Sequence, residues 1–337
     1  MDVPPAEAEV VSAALVDADL RGLGTHGAVR LTLYSQLFRD GLVNPRPRIR
    51  LLSESSAHVL LDNDYGLGFL GGVKAMNLCV QMAAKTGVAM AGVRNSSHFG
   101  AAGYYALMAA ERNLVGFAAS NSYPVMAPPG ANTPVHGNNP FAFAFPGGKR
   151  FPIVVDMATS VASQGKIKQY ANEGKPIPLG WAYDREGRPT EDPRNFFLLA
   201  PFGEGGYKGY GLALAMDVLA GVLTGSFFAQ GFVSGPGSRG CGHFFLAFDP
   251  QRFLPLDEYR QRTDEMIAQM KKASPGEGVQ GEIHHPGERG FLRKNKWLRE
   301  GIPMLSSTLQ QLDRLAEEMN LPRVKRAVRP AGASVRH

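Results

Sequence analysis

Three short strings in this sequence place an ionisable side chain beside glycine. They are Thr-His-Gly at 25–27, Asn-Ser-Ser-His-Phe-Gly at 95–100 and Gly-Gly-Tyr-Lys-Gly-Tyr-Gly at 205–211. Glycine permits tight backbone bends and the close approach of a ligand. Two histidines and one lysine in such positions predict a site that moves protons and binds an anionic molecule, so we expect an enzyme.

The first string puts a histidine near an arginine. Arg30 follows His26 by four residues, so the two side chains share a face if a helix begins nearby. An arginine binds a carboxylate through paired hydrogen bonds, while a histidine exchanges a proton at the neighbouring oxygen. This pair suits a 2-hydroxy or 2-oxo acid. The alternative is a histidine at a helix terminus beside an unrelated surface arginine.

The second string follows a predicted strand over 88–93 and precedes a predicted helix. His98 therefore lies at the carboxyl end of a strand, where α/β sheets tend to bind ligands. In the alternative interpretation Ser96, Ser97 or His98 only caps the helix. The spacing favours neither interpretation.

The third string opens a predicted helix over about 208–223. Free backbone N–H groups at a helix N-terminus, together with Lys208, form a natural anion-binding site. The string lacks the Walker order Gly-x-x-x-x-Gly-Lys-Ser/Thr, and no strand leads into a Gly-x-Gly-x-x-Gly fingerprint. A nucleotide site in this chain must therefore have another design.

Two further groups carry weaker signals. Asp156 ends a predicted strand and precedes Met-Ala-Thr-Ser, so it either binds a ribose or caps the next helix together with the hydroxyls that follow. Glu282, His284 and His285 offer metal-binding side chains. Their spacing matches no standard zinc site, so we expect a solvated turn and no metal.

Several elements must hold these strings in place. Apolar residues at helical spacing predict helices, and short apolar runs between turns predict strands. Helices are predicted over 5–21, 28–40, 71–85, 101–112, 208–223, 255–273 and 306–318. Strands are predicted over 58–61, 88–93, 115–119, 141–145, 153–155 and 242–248. The alternation over 88–119 favours an α/β arrangement, whereas the dense prolines and glycines of 121–200 favour short antiparallel strands.

Length and composition bound the class of protein. The 337 residues suit two packed lobes, with ordinary apolar (44%) and charged (20%) fractions. No apolar stretch is long enough to span a bilayer, and the first residues lack the features of a signal peptide, so we expect no membrane partner. Cys79 and Cys241 are the only cysteines, which favours a reducing, cytoplasmic location.

The net charge of +6 could suggest a nucleic-acid partner. Five basic residues follow Pro322 without any acid, which leaves +1 of the +6 for the rest of the chain. We therefore predict a near-neutral body, a basic disordered tail over 323–337 and no nucleic-acid binding.

Longer segments around the three strings form an ordered series. The first two are Asp-Leu-Arg-Gly-Leu-Gly-Thr-His-Gly-Ala-Val-Arg-Leu at 19–31 and Val-Arg-Asn-Ser-Ser-His-Phe-Gly-Ala-Ala-Gly-Tyr-Tyr at 93–105. Others lie at 138–146, 155–160, 180–184, 205–214, 242–249 and 286–289. In this order, over nearly residues 6 to 320, the segments resemble the malate/L-lactate dehydrogenase family of the second type. That family also contains ureidoglycolate, sulfolactate and diketogulonate oxidoreductases and piperideine- or pyrroline-2-carboxylate reductases.

The resemblance implies an α/β (α+β) fold that is not a Rossmann fold, with a helical lobe packed on a cofactor lobe whose sheet is mainly antiparallel. Residues 1–120 and 290–322 would form the helical lobe for substrate and dimerisation, and 121–289 the NAD(P)-binding lobe. The implied partners are NAD or NADP, a small carboxylic-acid substrate and a second copy in a homodimer. Family members usually have a further helix before residue 1, so we expect a truncated N-terminus here and a weakened dimer edge or active-site cover.

The resemblance also assigns site residues. His26 is implied as the catalytic acid/base with Arg30 as the carboxylate partner, and His98 is a second candidate for the proton. Thr25, where the family usually has serine, and Asn139 are assigned to the substrate. The implied cofactor contacts are Ser122, Asp156, Met157, Ala158, Lys208, Gly209, Gly287, Glu288 and Arg289.

The predicted reaction is hydride transfer between a nicotinamide and C2 of a small 2-hydroxy or 2-oxo acid, as in an NAD(P)-dependent malate/L-lactate-type dehydrogenase (EC 1.1.1.-). The alternatives are a cyclic imine reductase, which applies the same protonation to a C=N bond, and a non-catalytic ligand-binding member of the family. Asn138 stands where the family commonly has threonine, and we expect this to alter contacts near the nicotinamide or substrate.

Overall fold

Strands and helices are described for residues 2–232, 240–277 and 281–324 of this computed structural model. The strands are β1 (Arg50–Glu54), β2 (His58–Asp62), β3 (Val88–Ser96), β4 (Val115–Ser120), β5 (Phe141–Phe145), β6 (Ile153–Met157), β7 (Ala182–Tyr183), β8 (Pro189–Thr190), β9 (Leu198–Leu199) and β10 (Cys241–Phe248). The α-helices are α1 (Pro5–Leu20), α2 (Leu31–Arg39), α3 (Gly68–Thr86), α4 (Ala102–Ala110), α5 (Gln164–Asn172), α6 (Tyr207–Asp217), α7 (Leu256–Lys271), α8 (Glu288–Glu300) and α9 (Ser306–Glu318).

Seven strands form one sheet in the order β1-β2-β3-β10-β4-β5-β6. β2 and β3 are parallel, and the other neighbouring pairs of this sheet are antiparallel, which confirms the expected mainly antiparallel sheet. β10 comes late in the sequence but lies between β3 and β4. The expected lobe boundary after residue 120 falls inside this sheet, because β4 pairs directly with β5 through Ala119 and Phe141. Residues 1–120 and 121–289 therefore share one sheet.

Helices cover both faces of the sheet. α3 packs a small and apolar stripe between Ala75 and Ala83 against β3 and β10, since residues three to four apart share a helix face. α4 packs beside it on β4 and β5. Alternate residues of a strand point to opposite faces, so Phe117 and Phe244 lie on the other side, against Met216 of α6. A π-helical turn, Val218–Val222, continues α6 there.

The two ends of the chain meet beside α3. α1 packs against α3 and α8, and α9 packs against α2 and the turn Ala28–Arg30. Asp17 of α1 binds Arg21 at 2.7 Å and Lys294 of α8 at 2.5 Å. The guanidinium of Arg21 lies 4.5 Å from the centre of the Phe291 ring of α8. C-terminal helices therefore support the turn that carries the first predicted site residues.

A small sheet in the order β8-β7-β9 lies beside α5. Ile167 of α5, Ile177 and Leu199 are buried together in its core. The backbone N–H of Leu199 donates to the carbonyl of Val125 at 2.8 Å, which joins this subdomain to the loop after β4. The short antiparallel strands expected after residue 121 are confirmed.

The tail predicted to be disordered lies outside the described residues from residue 325 onward. Within the described part of the chain, no helix combines the length and the apolar character needed to cross a membrane.

Candidate active site

The Thr-His-Gly string forms a compact turn between α1 and α2. Two 3-10 turns, Gly24–His26 and Ala28–Arg30, connect the helices. The buried carboxylate of Asp19 accepts a hydrogen bond from the Ala28 N–H at 2.8 Å, and Arg30 Nε donates to the Thr25 carbonyl at 2.5 Å. Both contacts fix the turn, so His26 and Arg30 are held by backbone geometry.

The two predicted catalytic histidines lie side by side. The rings of His26 and His98 stack with their centroids 5.8 Å apart and their planes at 21°. His26 Nδ1 is 3.1 Å from the hydroxyl oxygen of Thr25, and His98 Nδ1 is 2.7 Å from the hydroxyl oxygen of Tyr34. The structure therefore brings the first two strings together at one point.

Both histidines are held in the neutral form. Burial, reinforced by the nearby Arg30 cation, lowers the pKa of His26 to about 4. Burial, followed by the charges of Arg30, His26 and His243, holds the pKa of His98 well below its usual value of 6.5. At neutral pH each ring therefore has one nitrogen lone pair and one N–H group.

A buried polar network lies directly behind His98. The fully buried ring of His243 stacks on Phe99 with centroids 4.5 Å apart. Its Nδ1 lies 2.9 Å from the Ser120 hydroxyl oxygen and its Nε2 lies 2.8 Å from the Ser96 hydroxyl oxygen. Burial lowers the pKa of His243 to about 3. This network anchors the ends of β3, β4 and β10 around the His98 loop.

Asp156 and Gly287 line a cleft between β6, α4, α1 and α8. The Gly103 N–H at the start of α4 donates to Asp156 Oδ2 at 3.0 Å, and the Val154 N–H donates to the carbonyl of Pro286 at 3.0 Å. The carboxyl group of Asp156 is open to the cleft, yet the surrounding protein atoms desolvate it and raise its pKa to about 6. Leu23, two residues before Thr25, lines the same cleft, whereas His26 and His98 are not among its lining residues.

The segment after Asp156 runs to the start of α6. The Thr159 N–H donates to the Asn138 carbonyl at 3.0 Å, and the Phe202 N–H donates to the Thr159 carbonyl at 3.1 Å. Gly209 packs on this backbone, since a Cβ there would lie 2.4 Å from the Thr159 oxygen. The segment that follows Met157 and Ala158 therefore packs against α6 at Gly209, and Lys208 is exposed in the first turn of this helix. A groove of about 480 Å³ lies at Gly205 and Gly206 in front of this helix start; none of the predicted catalytic residues lines it.

Asn139 does not face the open site. It is fully buried, its Oδ1 accepts from the Ser122 N–H at 2.9 Å, and its Nδ2 donates to the Ala213 carbonyl at 2.8 Å. Because both ends of the amide are engaged within the protein, the Asn139 side chain is not available for the direct substrate binding that was expected from the sequence. We interpret it as a residue that positions the neighbouring loop. It ties the Ser122 loop to α6, while Asn138 Oδ1 lies 3.3 Å from the Ser122 hydroxyl.

Two predicted cofactor residues of the segment 282–289 differ in exposure. Glu288 is buried and binds Lys271 Nζ at 2.7 Å and His284 Nδ1 at 3.2 Å, so its carboxylate is occupied within the protein. Arg289 is exposed on the first turn of α8. Among the described residues, no cluster of three histidine, cysteine, aspartate or glutamate side chains could hold a metal ion.

Sequence reasoning missed three side chains at this site: Asp19, Tyr34 and His243. Asp19 stands at the end of α1, and its partner is nine residues away. Tyr34 follows Arg30 by four residues, a helical spacing that could have placed both on one face of α2. His243 gave no local signal, since its partners lie on two other strands.

Comparison with known proteins shows which family this chain resembles. A family profile described as malate/L-lactate dehydrogenase matches residues 1–313. Malate dehydrogenase from Pyrococcus horikoshii is 40% identical over 331 residues, covering 95% of this chain and 91% of the relative. L-sulfolactate dehydrogenase from Methanocaldococcus jannaschii is 36% identical over 324 residues, covering 95% and 92%. Ureidoglycolate dehydrogenase (NAD(+)) from Escherichia coli is 31% identical over 309 residues, covering 90% and 88%.

Solved structures agree over the same length. The Pyrococcus horikoshii malate dehydrogenase superposes with a TM-score of 0.86 at 37% identity, covering 96% of this chain and 91% of that chain. The Methanocaldococcus jannaschii sulfolactate dehydrogenase gives 0.85 at 35% identity, covering 95% and 92%. The delta1-piperideine-2-carboxylate reductase from Pseudomonas syringae gives 0.83 at 30% identity, covering 93% and 94%.

Proposed function

This chain belongs to the malate/L-lactate dehydrogenase family, and from that premise we propose that it oxidises and reduces a small 2-hydroxy/2-oxo acid with NAD or NADP. The observation that carries the proposal is the stacked pair of neutral histidines, His26 and His98, next to the Arg30 cation. A nicotinamide, when bound, supplies or accepts the hydride at C2 of the acid. The chain's own residues must then bind the carboxylate and handle one proton.

Arg30 suits the carboxylate. Its Nε is occupied by the Thr25 carbonyl, which fixes the plane of the guanidinium. No ion pair of Arg30 is found among the residues that the structure describes, so its charge is available to a ligand. A guanidinium binds a carboxylate better than an ammonium does, because it offers two parallel donors. His26 and His98 then lie where C2 of a bound acid can approach them.

The cofactor would lie along β6. Residues Asp156 to Ala158, at the end of β6, connect the cleft that Asp156 lines with the start of α6. In the first turn of α6 the Gly209 N–H donates to the Phe202 carbonyl at 3.0 Å. The N–H groups of Tyr207 and Lys208, together with the Lys208 ammonium, are therefore the donors that suit a phosphate group. Asp156, open to the cleft and held by one backbone N–H, suits a ribose hydroxyl. This cradle is an alternative to a Rossmann motif, with the helical ends of the chain as the opposing lobe.

Relatives are named for NAD(+) and for NADP(+), so the proposal covers both cofactors. Among substrates, small acids with a second anionic group are favoured, because a malate dehydrogenase and a sulfolactate dehydrogenase are similar to this chain at 40% and 36% identity. A cyclic imine reductase is the second candidate. It is favoured by the structural likeness to the piperideine-2-carboxylate reductase.

We also propose a cytoplasmic homodimer. Apolar side chains on α6 and the turn after it face outward instead of inward: Leu212, Leu214, Val218, Val222 and Leu223. Contiguous exposed apolar patches commonly mark protein interfaces. Light scattering after gel filtration should show a mass near twice 36.3 kDa. A charge at Val222, as in Val222→Glu, should lower that mass, whereas a monomeric wild-type protein would exclude the homodimer.

The function is tested by cofactor titration followed by a substrate panel. The panel contains oxaloacetate, pyruvate, sulfopyruvate and a cyclic 2-carboxy imine, each with NADH and with NADPH. Turnover of a 2-oxo acid supports the dehydrogenase, and turnover of the imine alone supports the reductase. Failure to bind either nicotinamide by calorimetry would favour a non-catalytic ligand-binding protein.

A further inference from the structure

His98 is held from one side by two hydrogen-bonding groups. Its Nδ1 lies 2.7 Å from the Tyr34 hydroxyl oxygen and 3.3 Å from the backbone nitrogen of Gly100, which donates to it. Tyr34 is buried and packs edge-on against the ring of Phe69. Gly100 has a φ of +80°, and a Cβ there would lie 2.6 Å from the same Phe69 ring. Neither group can move away from His98 without disturbing this packing.

These contacts determine which nitrogen of His98 carries the proton. A backbone N–H can only donate, so Nδ1 must direct its lone pair towards Gly100. The neutral ring therefore has its proton on Nε2, and the Tyr34 hydroxyl also donates to Nδ1. A proton on Nδ1 would set two N–H groups against each other, so the cationic ring is disfavoured by geometry as well as by burial.

His26 has a different partner. Its Nδ1 is 3.1 Å from the Thr25 hydroxyl, which can rotate to donate or to accept. The same contact therefore accommodates the neutral ring and the protonated ring. Of the two stacked histidines, His26 can gain and lose a proton without loss of a hydrogen bond, and His98 cannot.

We propose that Tyr34 and Gly100 hold His98 as a fixed Nε2–H donor to the C2 oxygen of the substrate, while His26 exchanges the proton. This rests on the proposed function. In oxidation the hydroxyl proton passes to His26 as the hydride leaves C2 for the nicotinamide, and reduction reverses both transfers. His98 keeps its proton throughout and stabilises the negative charge that develops on the oxygen. Tyr34 is a positioning residue that acts through His98.

The tautomer can be measured without activity. Uniformly ¹⁵N-histidine-labelled full-length protein is compared with the His98→Gln variant, and the missing ring signals identify His98. We expect the shift of an unprotonated Nδ1 and a protonated Nε2, unchanged from about pH 6 to pH 8. An Nδ1–H tautomer, or a ring that becomes cationic in this range, would overturn the assignment even if the protein is an active dehydrogenase.

Glutamine substitutions separate the two tasks. The side-chain nitrogen of glutamine can imitate the Nε2–H of histidine but cannot exchange a proton at neutral pH. His98→Gln should therefore retain at least about tenfold more kcat than His98→Ala, whereas His26→Gln should be as slow as His26→Ala. The reverse order would assign proton exchange to His98 and remove the proposal. Nicotinamide titration of all four variants shows whether each still folds and binds.

Tyr34→Phe removes only the hydroxyl. Losing one hydrogen bond of about 0.5–1.5 kcal/mol should lower kcat by about 2- to 13-fold, with KM for the acid nearly unchanged. The matched control is Tyr259→Phe, on α7, which should leave kcat unchanged. A Tyr34→Phe variant with normal kcat, or with a raised KM alone, would show that the hydroxyl does not act through His98.

Discussion

The carboxylate of Asp19 occupies the space that a side chain at position 27 would need. A Cβ on Gly27 would lie 1.8 Å from Asp19 Oδ1, closer than any non-bonded contact. The same carboxylate accepts the Ala28 N–H at 2.8 Å. Glycine at position 27, beside His26, thus allows an acid at the end of α1 to fix the turn that bears this histidine.

Gly27→Ala should disturb both stability and turnover. The added methyl displaces Asp19, and overpacking of this kind destabilises by about 1–3 kcal/mol. Urea unfolding and kcat measure the two effects. Gly24→Ala is the matched control in the same turn, because a Cβ there has nothing within 4 Å. Equal behaviour of the two variants would contradict the role given to the Asp19 contact.

His26→Ala should lower kcat by about 10²–10⁴-fold, the range of general acid–base catalysis. Affinity for NADH or NADPH should change little, since the ring is placed beside the acid. Steady-state kinetics and cofactor titration test this. A loss below tenfold would remove His26 from the proton step.

Arg30→Lys should weaken substrate binding more than cofactor binding. Lysine lacks both the paired donors and the Nε–H that bonds the Thr25 carbonyl. We expect kcat/KM for the acid to fall by about a hundredfold, equivalent to roughly 2.7 kcal/mol. An unchanged KM for the acid would place the carboxylate elsewhere.

Gly209→Ala should weaken cofactor binding. Its Cβ would meet the Phe202 nitrogen and the Thr159 oxygen at 2.4 Å, so the start of α6 would have to move away from the strand segment after Asp156. Gly211→Ala, two residues on, meets nothing within 4 Å and should preserve affinity. The dissociation constant of NADH or NADPH is the readout, and equal values for both variants would separate α6 from the cofactor site.

Stability should fall as the pH drops below 6.5. The pKa of His243 is lowered to about 3 by burial, so the unfolded chain binds a proton that the folded chain excludes. The neutral ring's contribution is present in full above the unfolded pKa of about 6.5 and is lost as pH falls toward the folded pKa, at up to about 1.4 kcal/mol per pH unit. Denaturant unfolding between pH 7 and pH 4.5 measures the slope.

His243→Gln is the comparison for that slope. Glutamine can still hydrogen-bond the Ser96 and Ser120 hydroxyls but has no titrating group. Its stability should therefore decline less steeply with acidification, by the contribution of one proton. Parallel curves for the variant and the wild-type protein would show that His243 is protonated in the folded state.

Elements with a clear apolar pattern were predictable from the sequence. The apolar spacing of α3 and the buried run of β4 depend on local patterns, which a helix or strand must satisfy wherever it lies. β1 was not predictable, since all five of its residues are exposed and carry no periodic signal. α8 was missed because its sequence is mostly charged and Glu288 is its one buried residue.

The sequence by itself determined the residue types of the site and the elements that bear them: a histidine and an arginine in one turn, a histidine after a strand, a lysine at a helix start. Only the tertiary structure decided their partners. It set His98 against Tyr34, 64 residues away, Asp156 against Gly103, 53 residues away, and Asn139 into the interior. The reason is physical. Local propensity fixes the backbone of each segment, whereas tautomers, pKa shifts and contacts arise from distant segments packed together.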